Sequence, residues 1–197
     1  GNFYYYKASE HLENGQIKNS QLTLERAAAW NPESVSIRFQ QFSLHRNILQ
    51  VIKSSDLLDE RKTIFANALL LLNKIERINP LMGAVPENRG ILLMENSDIA
   101  VDDWEEKAIG QFKKALQLDP RLYRARSALA RFFVNRGDLE EAVLLINDGV
   151  KHYYPDYMTG IEKFYQYAIN LNLMNGDTVK AKEIQIELDK VKLYYKN

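Results

Sequence analysis

The sequence predicts an all-α fold built from stacked helix–turn–helix pairs, and three observations carry that prediction. Apolar residues recur at spacings of three and four, with no strand-like alternation anywhere. Gly15, Gly137 and Gly176 each close an apolar helical stretch, and five residues after each stands a small residue: Ser20, Ala142 and Ala181. A proline then follows Gly15 by 17 residues, at Pro32, and Gly137 by 18, at Pro155. The segment ending at Pro120 repeats the second half of this pattern through Ala108, Phe112 and Ala115.

Taken in order, Tyr4–Asn14 is helical by its spacing, and Asn14-Gly15 supplies the left-handed stop that glycine tolerates. Leu22, Leu24 and Ala27–Trp30 mark a second helix, closed by Asn31-Pro32. A long helix follows over Glu33–Ile52, then another over Asp56–Asn79 with Ala68–Leu72 and Ile75 as its buried face. Asn79-Pro80 and Asp119-Pro120 repeat the Asn-Pro punctuation, and each Asx side chain is expected to cap the next helix, whose first turn admits proline. Leu81–Val101 holds Gly83, Pro86 and Gly90 among apolar residues without period, and predicts a loop or a degraded helix, the most mobile internal stretch. Helices return at Asp103–Leu118, Arg121–Arg136, Leu139–His152, Tyr157–Asn175 and Thr178–Tyr194. Asp138 and Glu141 form the D-x-x-E signature of a capping box. The organisation expected is one domain over 1–197: two helix pairs in 1–80, the second elongated, an irregular insertion or degraded helix in 81–102, and C-terminal repeats in 103–197.

Composition narrows the function classes. The 197 residues are 46% hydrophobic and 26% charged, with zero formal net charge, so nothing overall favours nucleic acid or an anionic membrane. With no cysteine there is no disulfide, thiolate metal site or cysteine nucleophile. No apolar run exceeds five residues, the length of Ala68–Leu72, far short of the roughly twenty a membrane helix needs. The chain begins Gly1-Asn2 rather than with Met, which suggests a piece of a longer protein. Cytoplasm and a bacterial envelope compartment are both compatible with these features.

The stretch Arg121–Pro155 resembles a tetratricopeptide repeat, an antiparallel helix pair of 34 residues. Numbered from Tyr123, the signature places hold Leu129, Ala130 and Phe133 on the first helix, Gly137-Asp138 at the turn, and Ala142, Ile146 and Gly149 on the second. Small residues let the helices approach while the large ones fill the space between. The same register fits Tyr4, Ala8, Gly15, Ser20, Leu24, Ala27 and Pro32, and again Tyr165, Ala168, Gly176, Ala181 and Leu188. Pro32 and Pro80 are 48 residues apart, which predicts unusually long helices in that pair. The resemblance implies a right-handed superhelical array of about five antiparallel pairs. The A-R-F-x-x-x-R-G-D-L run with a Y-P ending is also similar to C-terminal soluble regions of bacterial envelope-glycan polymerases and ligases. Apolar runs of about twenty residues upstream in the reading frame would favour that second identity.

Candidate chemistry is sparse. His11 and His45 are 34 residues apart, matching places in the repeat, and neither has partners at ligand spacing, so both are expected to pack between helices. Asn96, Asp98, Asp102, Asp103, Glu105 and Glu106 suggest a calcium loop, but Val101 and Lys107 stand where an EF-hand needs glycine and a bidentate glutamate. No nucleophile elbow, Walker loop, zinc-protease or dinucleotide motif occurs, so no catalytic residue, cofactor or metal is nominated.

The resemblance implies a concave groove lined by places 2, 5, 9, 12 and 13 of each first helix. These are Tyr5 and Ser9 in the first pair, and Phe39, Arg46 and Asn47 in the second. In the fourth they are Arg124, Ser127, Arg131, Val134 and Asn135, and in the fifth they begin Lys163, Gln166 and Asn170. Arg121–Arg136 holds five arginines and no acidic residue. The expected function is therefore a non-enzymatic scaffold holding a protein or peptide, with an acidic segment or an anionic glycan as the chemistry the arginines would take. The carboxylate clamp that grips chaperone C-termini is absent, since Tyr5, Ser9 and Gln40 occupy its places.

Overall fold

The computed structural model describes the chain apart from residues 1–5, 9, 12–13, 54–56, 101, 153–157 and 195–197. Tyr4, Tyr5, Ser9 and Pro155 therefore lie outside the described residues. The fold is all-α, with no strand among the described residues. A first helix, α1, is described at residues 6–8 and 10–11. There follow α2 (Ile17–Trp30), α3 (Val35–Val51), α4 (Leu58–Ile78), α5 (Ala84–Glu95), α6 (Trp104–Leu118), α7 (Tyr123–Asn135), α8 (Leu139–Lys151), α9 (Met158–Met174) and α10 (Thr178–Tyr194). The chain divides into two compact units, Gly1–Trp104 and Glu105–Asn197.

Two kinds of turn recur between the described helices. Gly15, Gly137 and Gly176 have φ of +70°, +85° and +79°, the left-handed region that only glycine enters without strain. After α7 the Asp138 N–H reaches back to the Phe133 carbonyl at 2.8 Å, and after α9 Asp177 does the same to Asn172 at 2.9 Å, so both helices end in Schellman motifs. The Asx-Pro turns work differently from expectation. Asn31, Asn79 and Asp119 each donate their N–H back to the helix they end, to Ala27, Ile75 and Ala115 at 3.0, 2.9 and 2.9 Å. Their carbonyls then accept the N–H three residues on, from Ser34, Met82 and Leu122 at 3.2–3.3 Å. These are β-turns with proline at the second place, where its fixed φ belongs. The next helix is thus capped, where it is capped, by a later residue: the Ser34 hydroxyl accepts the Ile37 N–H at 3.3 Å.

The capping box at Asp138 does not form. With φ −87° and ψ 61°, Asp138 lacks the extended backbone that aims a carboxylate at its own helix end, and its side chain makes no cap bond. Asp177 does cap, accepting the Lys180 N–H at 2.8 Å.

In the first unit the register places pack as predicted. Ala8, Ser20, Leu24 and Ala27 are all buried, and the Ser20 hydroxyl donates to the Ala8 carbonyl at 2.9 Å, tying α2 to α1. The next pair is long, with 17 residues in α3 and 21 in α4, against 13 in each of α7 and α8. On α4 the buried residues Arg61, Phe65, Ala68, Leu71, Leu72 and Ile75 form one stripe against α3.

The stretch 81–102, read as an irregular insertion or degraded helix, contains the 12-residue helix α5. Val85, Pro86, Glu87, Gly90, Ile91, Leu92 and Leu93 are all buried. A helix enclosed on most sides has no polar face, so its sequence carries no period to find. Pro86 is harmless because it sits in the first turn, where N–H groups lack intrahelical acceptors anyway. This burial also removes the reason to expect exceptional mobility there. Arg89 joins α5 to α4 through Asn73 at 2.9 Å and Glu76 at 2.8 Å.

In the second unit α7 packs on both α8 and α9, and α9 packs on α8 and α10. Ala130, Ala142, Ile146, Tyr165, Ala168, Ala181 and Leu188 share one core. Phe112 of α6 meets Phe132 of α7 with ring centroids 6.3 Å apart. Gly149 is needed for close approach: a Cβ there would overlap Arg126 Cδ and stand 2.7 Å from Phe164 Cζ. Asn147 and Asn172 exchange amide hydrogen bonds of 3.0 and 2.8 Å between α8 and α9, and Asn172 also donates to the Ala168 carbonyl at 2.8 Å.

Candidate interaction surface

The first helices α7 and α9 stand side by side, and their polar faces meet at Arg131. Spacings of three and four bring Arg124, Ser127, Arg131 and Asn135 along α7, and Lys163, Gln166 and Asn170 along α9. Arg131, Asn135, Lys163, Gln166 and Asn170 are exposed, and Arg124 and Ser127 are half-buried. The Arg131 guanidinium lies 5.7 Å from the centroid of the Tyr167 ring, a cation–π contact that bridges the two helices. Burial raises the Tyr167 phenol above its usual pKa, with Arg131 partly opposing that shift. Gln166 donates to Asn170 at 3.4 Å. Tyr167 is the residue that sequence reasoning missed. It belongs to no expected lining place, yet Lys163 and Asn170 lie four and three residues from it on the same face.

Other arginines of the basic run are committed elsewhere. Arg121 pairs with Asp119 at 2.9 Å and Arg136 with Glu105 at 2.9 Å. Arg126 is buried and gives hydrogen bonds to the Leu145 and Pro120 carbonyls and to Asp148, at 2.9, 2.8 and 2.9 Å. Arg131 is therefore the arginine of this run that is exposed and faces a neighbouring first helix.

The three described candidates of the first unit are less uniform. Asn47 is exposed, while Phe39 is half-buried and meets Phe42 edge-on with centroids 6.4 Å apart. Arg46 holds Glu95 of α5 in a two-pronged pair, 2.7 Å through Nε, and so contributes to internal structure. The Glu95 hydrogen bond raises the Arg46 pKa against the opposing effect of burial. His11 and His45 bond locally, to the Gln16 side chain at 2.8 Å and the Gln41 carbonyl at 2.7 Å. Asp98 pairs with Arg61 at 2.7 Å.

A cleft of about 710 Å³ opens in the second unit beside α6, α7 and α8, and none of the nominated residues lines it. Its apolar floor is Leu116, Leu129, Phe133 and Leu145, with Lys113, Glu141, Asp148 and His152 at the rim. Among the described residues no group of three or more acidic or histidine side chains could hold a metal ion. No described helix is long and apolar enough to cross a membrane.

Residues 106–156 match the family model of the tetratricopeptide repeat. Among solved structures, the chain is similar to TTC0263, a thermophilic TPR protein of Thermus thermophilus, with 20% identity and a TM-score of 0.63 over 86% of this chain and 80% of that one. It is similar to MamA from Desulfovibrio magneticus RS-1, with 13% identity and a TM-score of 0.58 over 98% and 95%. It is also similar to YrrB, described as a TPR protein with an unusual peptide-binding site, with 14% identity and a TM-score of 0.51 over 95% and 84%. No curated protein matches the chain.

Proposed function

We propose that this chain, whose residues 106–156 match the tetratricopeptide-repeat model, is a non-enzymatic interaction scaffold holding a partner peptide against the polar face of α7 and α9. The observation that carries this reading is the Arg131–Tyr167 contact. It joins two neighbouring first helices into one surface, with the exposed Lys163 and Asn170 on the same face of α9 as the ring. A guanidinium held over a ring keeps its N–H edge available to an incoming carboxylate. An extended acidic peptide is the ligand this chemistry suits, because side-chain carboxylates can reach Arg131 and Lys163 while its backbone amides meet Gln166 and Asn170. The anionic-glycan expectation and the glycan-assembly identity gain no support of their own from these contacts.

The test compares glutamate-rich and glutamine-rich peptides of equal length by fluorescence anisotropy over a salt series. The glutamate peptide should bind more tightly and lose affinity with salt, and Arg131→Ala with Lys163→Ala should weaken it by about tenfold. Equal binding of the two peptides at low salt would remove the acidic preference. Unchanged binding by the double variant would move the site elsewhere.

A further inference from the structure

In α10 the inner face buries Ala181, Ile184 and Leu188. The opposite face exposes Val179, Ile186 and Leu193, at 68%, 56% and 63% of their surface. Residues seven apart on an α-helix drift by only about 20°, so the three form one stripe about 21 Å long. Lys182 and Asp189 flank it on one side and Glu183 and Lys190 on the other, all of them exposed.

We propose that this stripe pairs with the α10 of a second copy of the chain, antiparallel, about a two-fold axis passing beside Ile186. The charges support a self-complementary fit. Lys182 and Asp189 stand four residues before and three after Ile186, and Glu183 and Lys190 stand three before and four after it. Inverting one helix about Ile186 sets Lys182 against the partner's Asp189 and Glu183 against the partner's Lys190, each contact occurring twice. The same inversion packs Ile186 on the partner's Ile186 and Val179 on the partner's Leu193, the small side chain against the large one. Antiparallel pairing also sets the helix dipoles head to tail. In the free chain these charges make exposed local contacts, Lys180 with Glu183 at 2.8 Å, Lys190 with Glu187 at 3.5 Å and Asp189 accepting from the Gln185 amide at 2.9 Å, which exchange at little cost.

Sedimentation equilibrium over a wide concentration series tests the pairing. The wild-type chain should show a monomer–dimer equilibrium, and Ile186→Glu should leave it monomeric with unchanged helicity and melting temperature. Lys190→Glu places like charges in contact twice and should weaken self-association by about tenfold. Adding Glu183→Lys to Lys190→Glu restores opposite charges and should bring affinity back to within about threefold of wild type. A wild type that stays monomeric throughout, or a dimer indifferent to Ile186→Glu, would overturn the proposal. Rescue of Lys190→Glu by Asp189→Lys instead of Glu183→Lys would also overturn it, because that is the signature of parallel helices.

Discussion

Arg126 and Arg61 invite a direct comparison. Each is a buried arginine, 3% and 4% exposed, and each reaches an aspartate that stays about half exposed. Arg126, in the short pair α7 and α8, spends its donors on two main-chain carbonyls as well as Asp148. Arg61, in the long pair α3 and α4, pairs with Asp98 through Nη2 at 2.7 Å while its buried Nε–H has no partner among the described residues. The two residues look alike by burial and charge. They differ in what the fold would lose without them, because a buried charge helps only when its remaining donors are satisfied.

The largest expected effect comes from replacing each arginine with methionine, which keeps the length and removes the donors. Arg126→Met should cost about 2–3 kcal/mol in urea unfolding, since it strips partners from the Pro120 and Leu145 carbonyls and from Asp148. Arg61→Met should fall within about 1 kcal/mol of wild type, in either direction. Equal costs would break the distinction.

A smaller effect sharpens it. Gly149→Ala drives a Cβ against the Arg126 stem and should cost about 1–3 kcal/mol, read from the same unfolding curves. Combined with Arg126→Met, its penalty should shrink, because the flexible thioether can yield where the anchored guanidinium cannot. Strict additivity would mean that Arg126 is not held as its hydrogen bonds imply.

The smallest effect is a pH dependence in the first unit. The hydrogen bond from Arg61 lowers the Asp98 pKa below its usual value. A depressed carboxylate contributes stability that is present above its unfolded pKa and is lost as pH falls through the folded one. With Asp98 half exposed, that contribution is about 0.5 kcal/mol. Asp98→Asn should flatten this acid limb of the stability curve, and an unchanged limb would assign it to other carboxylates.

The parts of the fold that were legible in the sequence were those written by local rules. Small residues at Ala130, Ala142 and Gly149 marked close approach, and Gly137 and Gly176 marked left-handed turns. Each is a constraint on one residue's size or backbone, visible without knowing its neighbours. Helix α5 escaped because periodicity reports a contrast between two faces, and a helix enclosed on most sides offers none. Arg46 was nominated for the groove because its register place was right. Its engagement by Glu95, 49 residues away, depends on how α3 meets α5, which no local spacing encodes. Tyr167 was missed for the same reason, since its role depends on Arg131 of the preceding pair. The Asp138 box failed on a backbone angle that the D-x-x-E letters do not specify.

The three Asx-Pro turns have a consequence for how such a chain could grow or be recombined. The main-chain hydrogen bonds that close each one fall within eight residues, 27–34, 75–82 and 115–122, and in two of them an arginine of the following helix adds a bond, Arg38 to the Pro32 carbonyl at 3.3 Å and Arg126 to the Pro120 carbonyl at 2.8 Å. A segment excised or duplicated between two of these points carries its own stop signal with it. Its register is then set only by the faces it meets. Gene-level shuffling at these junctions would therefore deliver helix pairs as exchangeable cassettes, and a chimera spliced after Pro32, Pro80 or Pro120 begins with its entry turn already written.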